Sequence, residues 1–318
     1  MEKLPNDWDN LQKSLGASVL QSRDWADVQQ QMGRQAFFAW SNHWSFVGFE
    51  RKSSGLRYLL VPYGPTCAVA GTEAIEAVLA LAKKQKFDFV RIEPIGATRP
   101  DDLVRLGAVK VAEFDPEYTL HLDLTKTEEE LRSKMNSGHR NLINGTQRRG
   151  IEIVQSDKDS DFESFLRMLE DTAKRSKVKF HPRDYYKDVW KVMQPRESAK
   201  LYIASHSGEA VAAALFYDYN GVRYYAHAGA YQQLNRKLNA SVSLLWQAII
   251  DAKKLGLVKF DMWGIAPSDD PKHKWAGITS FKKGFGGEAV QYLGTYDIPI
   301  NQAKYKIYRT YSKLRGRG

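Results

Sequence analysis

Cysteine is nearly absent from this sequence, since Cys67 is the only one among 318 residues. A disulfide within the chain and a cysteine-based metal cluster are therefore excluded. The seven histidines show no metal-ligand spacing, so we expect no metal centre. No run of about 18 apolar residues exists, which excludes a membrane-spanning helix. Residues 1–9 are acidic and lack an apolar core, so we expect no signal peptide and a cytoplasmic location.

The sequence also lacks the short motifs of several well-known enzyme classes. It has no Gly-x-Ser-x-Gly elbow, no Walker loop, no His-Glu-x-x-His pair and no Gly-x-Gly-x-x-Gly after an early strand. These absences give no support to a triad hydrolase, a P-loop NTPase, a zinc peptidase or a dinucleotide-dependent enzyme.

Acidic residues are outnumbered, because 47 Lys and Arg stand against 37 Asp and Glu and give a net charge of +10. This surplus favours phosphate-bearing partners, namely nucleic acid, a nucleotide-sugar or an anionic membrane face, although solubility alone also explains it. Basic residues continue without an acid through residues 304–318. Tyr305, Tyr308 and Tyr311 would form a stripe on a helix there, which is more typical of a docking face than of a nucleic-acid platform.

A repeated pattern occurs about half a chain length apart. Gly221-Val-Arg-Tyr-Tyr225 repeats Gly55-Leu-Arg-Tyr-Leu59, and residues 252–265 repeat the pattern of residues 82–95. Each copy predicts a strand, an amphipathic helix and a second strand. The repeat therefore predicts two like-folded domains that face each other across a cleft, an arrangement suited to joining two large substrates.

The order of predicted elements indicates an α+β fold with mixed α/β sheets. Acetyltransferase-like (GNAT-like) domains have this layout, and two of them in tandem fit the length. Ser137–Gly150 is basic and is interpreted as a connector between the domains. We therefore expect the first domain at residues 1–148 and the second at residues 149–297.

The segment Phe281-Lys-Lys-Gly-Phe-Gly-Gly287 combines cationic, aromatic and glycine residues. The glycines would let the backbone approach a ligand, while Lys282 and Phe281 would supply a cation and a stacking face for a nucleotide or an oxyanion. A glycine-rich hairpin with Phe281 and Phe285 in the core is the alternative. The segment does not match a coenzyme A pyrophosphate loop, because Phe281 occupies the place of the usual Arg or Gln.

Three further places carry polar residues at predicted element ends. Asp261 lies at the carboxyl end of a strand, where ligands often bind in open sheets, and it would either orient a ligand or cap the next turn. Glu93 lies at nearly the same place in the first repeat. His181 and Arg183 precede a helix and could hold phosphate, although a solvated helix start explains them equally well.

Several segments together resemble the FemABX family, the aminoacyl-tRNA-dependent transferases that build peptidoglycan side branches. The resemblance runs in order along almost the full chain. Its segments are Leu20-Gln-Ser-x-x-Trp25-Ala, Lys134 to Arg149, Tyr224-Tyr-Ala-His-Ala-Gly229, Asp261-Met-Trp-Gly-Ile265 and Phe281-Lys282-x-x-Phe285-Gly286. No heptad insertion is present, so the chain resembles the compact form without a coiled-coil arm.

The resemblance implies two GNAT-like domains, with the tail at residues 298–318 packed back on the first. It implies that an amine of a peptidoglycan precursor attacks the ester of an aminoacyl-tRNA, which serves as co-substrate in place of a cofactor. Lys282 matches the family lysine assigned to the tRNA 3′ end and would stabilise the oxyanion, with Phe281 stacking on the terminal adenine. Tyr225, His227 and Tyr185 would line the cleft with Glu93 and Arg183.

The sequence departs from family members that use a soluble, UDP-linked precursor. Its first helix has Asp27 and Gln29 where a lysine is expected, and His181 takes the place of an arginine. His227 replaces a tyrosine of the substrate pocket. A lipid-linked precursor, with peripheral contact to the inner membrane face, is therefore an alternative to the UDP-linked precursor. A CoA-dependent N-acyltransferase and a non-catalytic module that binds RNA or precursor are the rival functions.

Overall fold

The structure of the protein is a computed structural model that describes residues 4–69, 71–175 and 180–314. Helices and strands alternate along the chain, as the mixture of the two hydrophobic periods predicts. Within the described residues, every helix is too short or too polar to cross a bilayer.

The helices begin where the sequence places capping residues. The hydroxyl of Ser22 accepts a hydrogen bond from the Trp25 amide at 3.0 Å, and Thr127 and Glu130 form a capping box. In chain order the described α-helices are α1 Trp8–Ser14, α2 Arg23–Gln31, α3 Thr72–Lys84, α4 Pro100–Arg105, α5 Glu128–Ser133, α6 Ser137–Asn144, α7 Asp159–Arg175, α8 Arg183–Met193, α9 Gln232–Leu238, α10 Ala240–Lys254, α11 Ala276–Lys283 and α12 Gln302–Leu314.

The strands form two sheets, and each sheet contains both parallel and antiparallel pairs. In chain order the described strands are β1 Ala36–Trp40, β2 Trp44–Ser53, β3 Leu56–Val61, β4 Thr66–Cys67, β5 Phe89–Ile92, β6 Ile95–Gly96, β7 Val109–Lys110, β8 Tyr118–Asp123, β9 Ile151–Ser156, β10 Ala199–His206, β11 Glu209–Tyr219, β12 Val222–Ala230, β13 Lys259–Gly264, β14 Glu288–Gln291 and β15 Tyr296–Pro299.

Contacts divide the chain into two compact units. Unit 1 consists of residues 1–117 with residues 291–318, and unit 2 consists of residues 118–290. The boundaries expected at 148/149 and 297/298 therefore move to 117/118 and 290/291. The reason is strand pairing, because β8 lies antiparallel to β13 of unit 2 and β14 joins the same sheet.

Unit 1 is built on a sheet with the order β6-β4-β2-β3-β5-β15-β7, to which β1 adds by pairing with β2. Helix α3 connects β3 to β5, and these two strands pair in parallel with Leu59 opposite Val90. The helix buries Ile75 and Val78 against the sheet. This strand–helix–strand segment is the first copy of the predicted repeat.

Unit 2 has a sheet with the order β14-β8-β13-β12-β11-β10-β9. Strands β12 and β13 pair in parallel with Tyr224 opposite Asp261, and α9 and α10 lie between them in the chain. Helix α10 is buried on most of its surface, including Leu245 and Ile249. Both copies of the repeat thus form the same substructure, and the predicted α+β class with mixed sheets is confirmed.

The interpretation of residues 137–150 as a connector is wrong. Residues 137–144 form helix α6, which begins because the side chain of Asn136 accepts a hydrogen bond from the His139 amide at 2.7 Å. Leu142 and Ile143 pack against the core of unit 2. Most residues of this segment are polar, so the few apolar residues on one face of the helix were not recognised in the sequence.

Helix α12 packs onto the sheet of unit 1. Tyr305 and Tyr308 are buried against Phe89, and the Tyr305 hydroxyl donates to the Asp297 carboxylate at 2.9 Å. Asp297 in turn accepts hydrogen bonds from Arg91 at 2.7 and 2.9 Å. The tyrosine stripe expected in the sequence is therefore a docking face on unit 1 at these two positions.

Candidate active site in unit 2

The carboxylate of Asp261 is buried in the middle of β13, and the exposed fraction of the residue is 4%. One of its oxygens accepts hydrogen bonds from the Thr119 hydroxyl and from the Trp263 amide, the latter at 2.8 Å. The other oxygen accepts from Nε2 of His121 at 3.1 Å. Thr119 and His121 both belong to β8, so the pairing of β8 with β13 brings these donors to the carboxylate.

The backbone of β13 changes direction directly after Asp261. The register with β8 shifts between Asp261 and Gly264, and Trp263 adopts a left-handed conformation with φ of 59°. That conformation is uncommon for a bulky residue. The hydrogen bond from the Trp263 amide to the Asp261 side chain is of the kind that stabilises such turns. The turn directs the carbonyl oxygen of Gly264 toward helix α11.

Lys282 lies near the end of α11, and its side chain points into unit 2 with an exposed fraction of 6%. Its Nζ donates to the Gly264 carbonyl oxygen at 2.6 Å and lies 5.7 Å from the centroid of the Tyr225 ring. Burial lowers the pKa of Lys282 to about 7, although the negative charge of Asp261 acts in the opposite direction. The ammonium is thus oriented and partly desolvated.

A cavity of about 260 Å³ lies in unit 2 beside these residues. Its lining includes Phe281, Tyr225, Ile278, Arg175 and Arg236. Arg175 donates to the Ala230 carbonyl oxygen at 2.8 Å and pairs with the Asp171 carboxylate at 2.9 Å. Arg236 is exposed, and it makes no hydrogen bond or ion pair with another described residue. The cavity therefore combines stacking faces with positive charge.

The glycines that follow Lys282 approach protein groups. A side chain at Gly284 would meet the His139 ring at 2.3 Å, and one at Gly286 would meet Lys134 at 2.9 Å. His139 packs against the rings of both Phe281 and Phe285. The expectation that these glycines admit a ligand is therefore wrong at these two positions. They let α6 pack closely and hold Phe281, which stays half-buried at the cavity.

Three of the predicted residues form an aromatic cluster with Tyr186 and Tyr217, and a fourth is adjacent to it in the chain. The rings of His181 and Tyr185 are stacked with centroids 3.8 Å apart, and His227 lies 6.0 and 5.8 Å from them. Burial and the nearby His181 lower the pKa of His227 to about 3, so the ring is neutral at physiological pH. The fourth residue, Arg183, begins the helix that carries Tyr185.

A bulge in the sheet separates Tyr225 from His227. The register of β11 with β12 shifts between Leu215 and Phe216, which leaves Ala226 without a partner opposite. Tyr225 consequently stacks on Phe216, whereas His227 faces Tyr217. Bulges are frequent next to active sites because they re-aim side chains. The bulge therefore places Tyr225 near Lys282, whereas His227 belongs to the aromatic cluster of His181 and Tyr185.

Arg183 is engaged by two carboxylates of α7. Its guanidinium donates to Glu170 at 2.7 Å and to Glu163. The hydrogen bond that Arg183 donates to Glu170 and the charges of both acids raise the pKa of Arg183. Any phosphate held by Arg183 would have to compete with these acids.

Glu93 belongs to unit 1 and is 3% exposed. One carboxylate oxygen accepts hydrogen bonds from the Thr295 hydroxyl at 2.7 Å and the Asp115 amide at 2.8 Å. The other accepts from the Tyr63 amide at 3.3 Å. Burial and the neighbouring charge of Glu93 raise the pKa of Asp115. Through its three hydrogen bonds, Glu93 connects the segments of unit 1 that contain Tyr63, Asp115 and Thr295.

The described part of the chain has no group of three or more His, Cys, Asp or Glu side chains arranged to hold a metal ion.

A sequence profile of the FemAB family matches residues 107–207 and 194–313, which together make up more than half of the chain. The chain belongs to the FemAB family. The aminoacyltransferase FemA of Staphylococcus epidermidis is 26% identical over 155 residues, which are 49% of this chain and 37% of FemA. The match thus spans little more than a third of that relative's length.

Solved structures agree with this assignment at the level of the fold. The crystal structure of FemX superposes with a TM-score of 0.83 at 16% identity, and the match covers 96% of this chain and 99% of FemX. A tandem GNAT protein from the clavulanic acid biosynthesis pathway gives a TM-score of 0.50 at 11% identity, covering 94% of this chain and 97% of that protein. The prediction of two tandem GNAT-like domains is confirmed.

Sequence reasoning missed several residues of this FemAB site. Thr119 and His121 lie two positions apart on a predicted strand, so the alternation already placed them on one face. No local signal linked that face to Asp261. Arg236 lies in a polar helix, and nothing in the surrounding sequence distinguished it from the neighbouring Lys237.

Proposed function

We propose that this FemAB-family protein is an aminoacyltransferase that moves an amino acid from aminoacyl-tRNA to an amine on the stem peptide of a peptidoglycan precursor. The observation that carries the proposal is a buried, oriented lysine beside a cavity lined by aromatic rings and arginines. Family membership and the name of the FemA relative agree with it.

The chemistry requires little from the protein beyond positioning and charge. The precursor amine attacks the ester carbonyl, a C–N bond forms, and a tetrahedral oxyanion results. The C–O bond to the terminal ribose then breaks, and the ribose oxygen receives the proton lost by the amine. Because the ester is already activated, no protein nucleophile is needed, and the absence of triad motifs in the sequence fits this reaction.

Lys282 supplies the charge that such an oxyanion needs. Gly264 uses one of its three N–H donors and fixes the ammonium in place, so the other donors are available to the reacting oxygen. A donor that is already oriented and partly desolvated stabilises developing charge far better than a mobile surface lysine. The phosphates of a bound tRNA would favour the charged form of Lys282 further.

The cavity suits the 3′ end of an RNA. Phe281 offers a half-buried ring on which a base can stack. Arg236 offers positive charge for an adjoining phosphate, whereas Arg175 is already paired with Asp171. Its volume of about 260 Å³ is sufficient for one nucleotide-sized group.

The precursor is UDP-linked or lipid-linked, and its recognition falls to the cluster of His181, Tyr185 and His227. A neutral His227 among tyrosines favours contacts with sugar or peptide groups over contacts with phosphate. We place the reaction in the cytoplasm, with contact to the inner membrane face if the precursor is lipid-linked.

A transfer assay tests the proposal. Purified protein is incubated with a pool of radiolabelled aminoacyl-tRNAs and, in separate arms, UDP-linked pentapeptide or lipid-linked precursor. Label that reaches one precursor and disappears after RNase treatment supports the proposal and identifies the precursor. Turnover of acetyl-CoA that RNase does not affect, with no label on either precursor, would establish a CoA-dependent N-acyltransferase instead. Binding of RNA without any transfer would indicate a non-catalytic module.

A further inference from the structure

Asp261 is almost fully buried, and it lies one turn of backbone away from the carbonyl that accepts the hydrogen bond of Lys282. Its carboxylate collects three hydrogen bonds, from Thr119, His121 and the Trp263 amide. These three donors come from β8 and from the backbone of β13, and they fix the orientation of the carboxylate in the interior of unit 2.

The same carboxylate determines where the Gly264 carbonyl lies. Its bond to the Trp263 amide stabilises a left-handed turn that a tryptophan seldom adopts, and Gly264 follows that turn directly. The Gly264 oxygen then accepts from Nζ of Lys282 at 2.6 Å. Asp261 is therefore linked to Lys282 through two hydrogen bonds and one turn of backbone.

The surroundings of Lys282 hold few other charges. The neighbouring strand β12 contributes the Tyr225 ring, and β8 contributes His121, whose ring contacts Asp261. Helix α6 contributes His139, which packs against the phenylalanines that flank Lys282. On α11 itself, Lys283 is turned toward Asp269 at 2.5 Å. Among these groups, Asp261 is the one whose negative charge acts on Lys282.

We infer that Asp261 is a positioning residue for Lys282: it fixes the Gly264 carbonyl that orients the ammonium, and it supplies the negative charge that acts on the ammonium. The inference deepens the proposed function and rests on it for the catalytic meaning of Lys282. Asp261 thereby acts through Lys282.

Asp261→Asn separates the charge of this residue from its shape. The amide oxygen can still accept from Thr119 and the Trp263 amide, and the amide nitrogen can donate to His121 in its other tautomer. The pKa of Lys282 is measured by NMR titration of labelled lysine without any substrate, with the Lys282 signal identified by its loss in Lys282→Arg. We expect Asp261→Asn to lower this pKa by about one unit, the scale of removing a nearby opposite charge.

Asp269→Asn is the matched control, because it removes an exposed carboxylate that pairs with the adjacent Lys283. It should leave the pKa of Lys282 unchanged. An unchanged pKa in Asp261→Asn, or an equal fall in both variants, would overturn the inference.

A reciprocal measurement covers the case in which Asp261→Asn fails to fold. Lys282→Met should displace the carbon NMR signal of the Asp261 carboxyl at neutral pH, whereas Lys283→Met, whose ammonium pairs with Asp269, should leave that signal in place. An unmoved Asp261 signal in Lys282→Met would overturn the inference. Both measurements are made on the free protein, so a failed transfer assay would count against the proposed function alone.

Discussion

The Nζ of Lys282 lies 2.6 Å from the carbonyl oxygen of Gly264, and this contact joins the two most specific motifs of the sequence. The lysine belongs to the segment 281–287 and the glycine to the end of β13. A backbone carbonyl is a fixed acceptor, so the ammonium is oriented before any substrate arrives. Orientation of this kind is what distinguishes a catalytic cation from a surface lysine.

The contribution of Lys282 to transfer should depend on pH. The pKa of Lys282 is lowered to about 7, and the protonated form is the active one. The ratio of the wild-type rate to the Lys282→Ala rate should therefore be largest below pH 7 and fall as the pH rises above it. Taking the ratio cancels the ionisation of the substrate amine, which affects both proteins equally. A ratio that stays constant from pH 6 to pH 9 would contradict the role of the ammonium.

Loss of the ring at Phe281 should weaken the use of tRNA. Stacking of a base on an aromatic side chain contributes about 1–3 kcal/mol, so Phe281→Leu should raise the KM for aminoacyl-tRNA by roughly tenfold or more. Phe281→Tyr keeps the stacking face and serves as the control. The KM for the precursor should remain the same in both variants. Equal tRNA KM values for Phe281→Leu and the wild type would remove the stacking role.

Arg236 should contact an RNA phosphate. Arg236→Ala should raise the KM for aminoacyl-tRNA and reduce the slope of log affinity against log salt by about 1, which corresponds to one lost phosphate contact. Lys237→Ala is the matched control, since Lys237 is exposed on the same helix but does not line the cavity. If the two variants give the same salt slope, the cavity is not the RNA site.

Substitution of Glu93 should lower the stability of the protein. Glu93→Ala leaves the Tyr63 amide, the Asp115 amide and the Thr295 hydroxyl without their buried acceptor. Each buried donor left without a partner costs about 1–3 kcal/mol. We expect a lower midpoint of urea unfolding, whereas Glu76→Ala on the exposed side of α3 should leave it nearly unchanged. If the urea midpoint of Glu93→Ala equals that of the wild type, the hydrogen bonds to Glu93 do not stabilise the fold.

Local patterns in the sequence predicted the elements and the class of fold. The repeat around Gly55 and Gly221 marked the same strand–helix–strand substructure in both units, because hydrophobic period and turn residues are local properties. The prediction of Lys282 as a site residue came from the segment 281–287 and from a family resemblance, and the structure adds that its ammonium is buried against the Gly264 carbonyl.

Contacts between distant segments could not be predicted in the same way. Asp261 is separated by 142 residues from Thr119, and only the antiparallel pairing of β8 with β13 brings them together. The same holds for Glu93 and Thr295, which are 202 residues apart. Such pairings depend on sheet order, and a sheet order is not encoded in the spacing of any one motif.

The central claim is that Lys282 promotes transfer of an aminoacyl group from tRNA, and a single-turnover measurement tests it most directly. Wild type, Lys282→Ala and the control Asp269→Asn are each mixed with excess labelled aminoacyl-tRNA and precursor at pH 6.5. We predict RNase-sensitive transfer that is at least ~100-fold slower in Lys282→Ala, the scale of losing one oxyanion donor, and unchanged in Asp269→Asn. Transfer at the wild-type rate in Lys282→Ala would contradict the account.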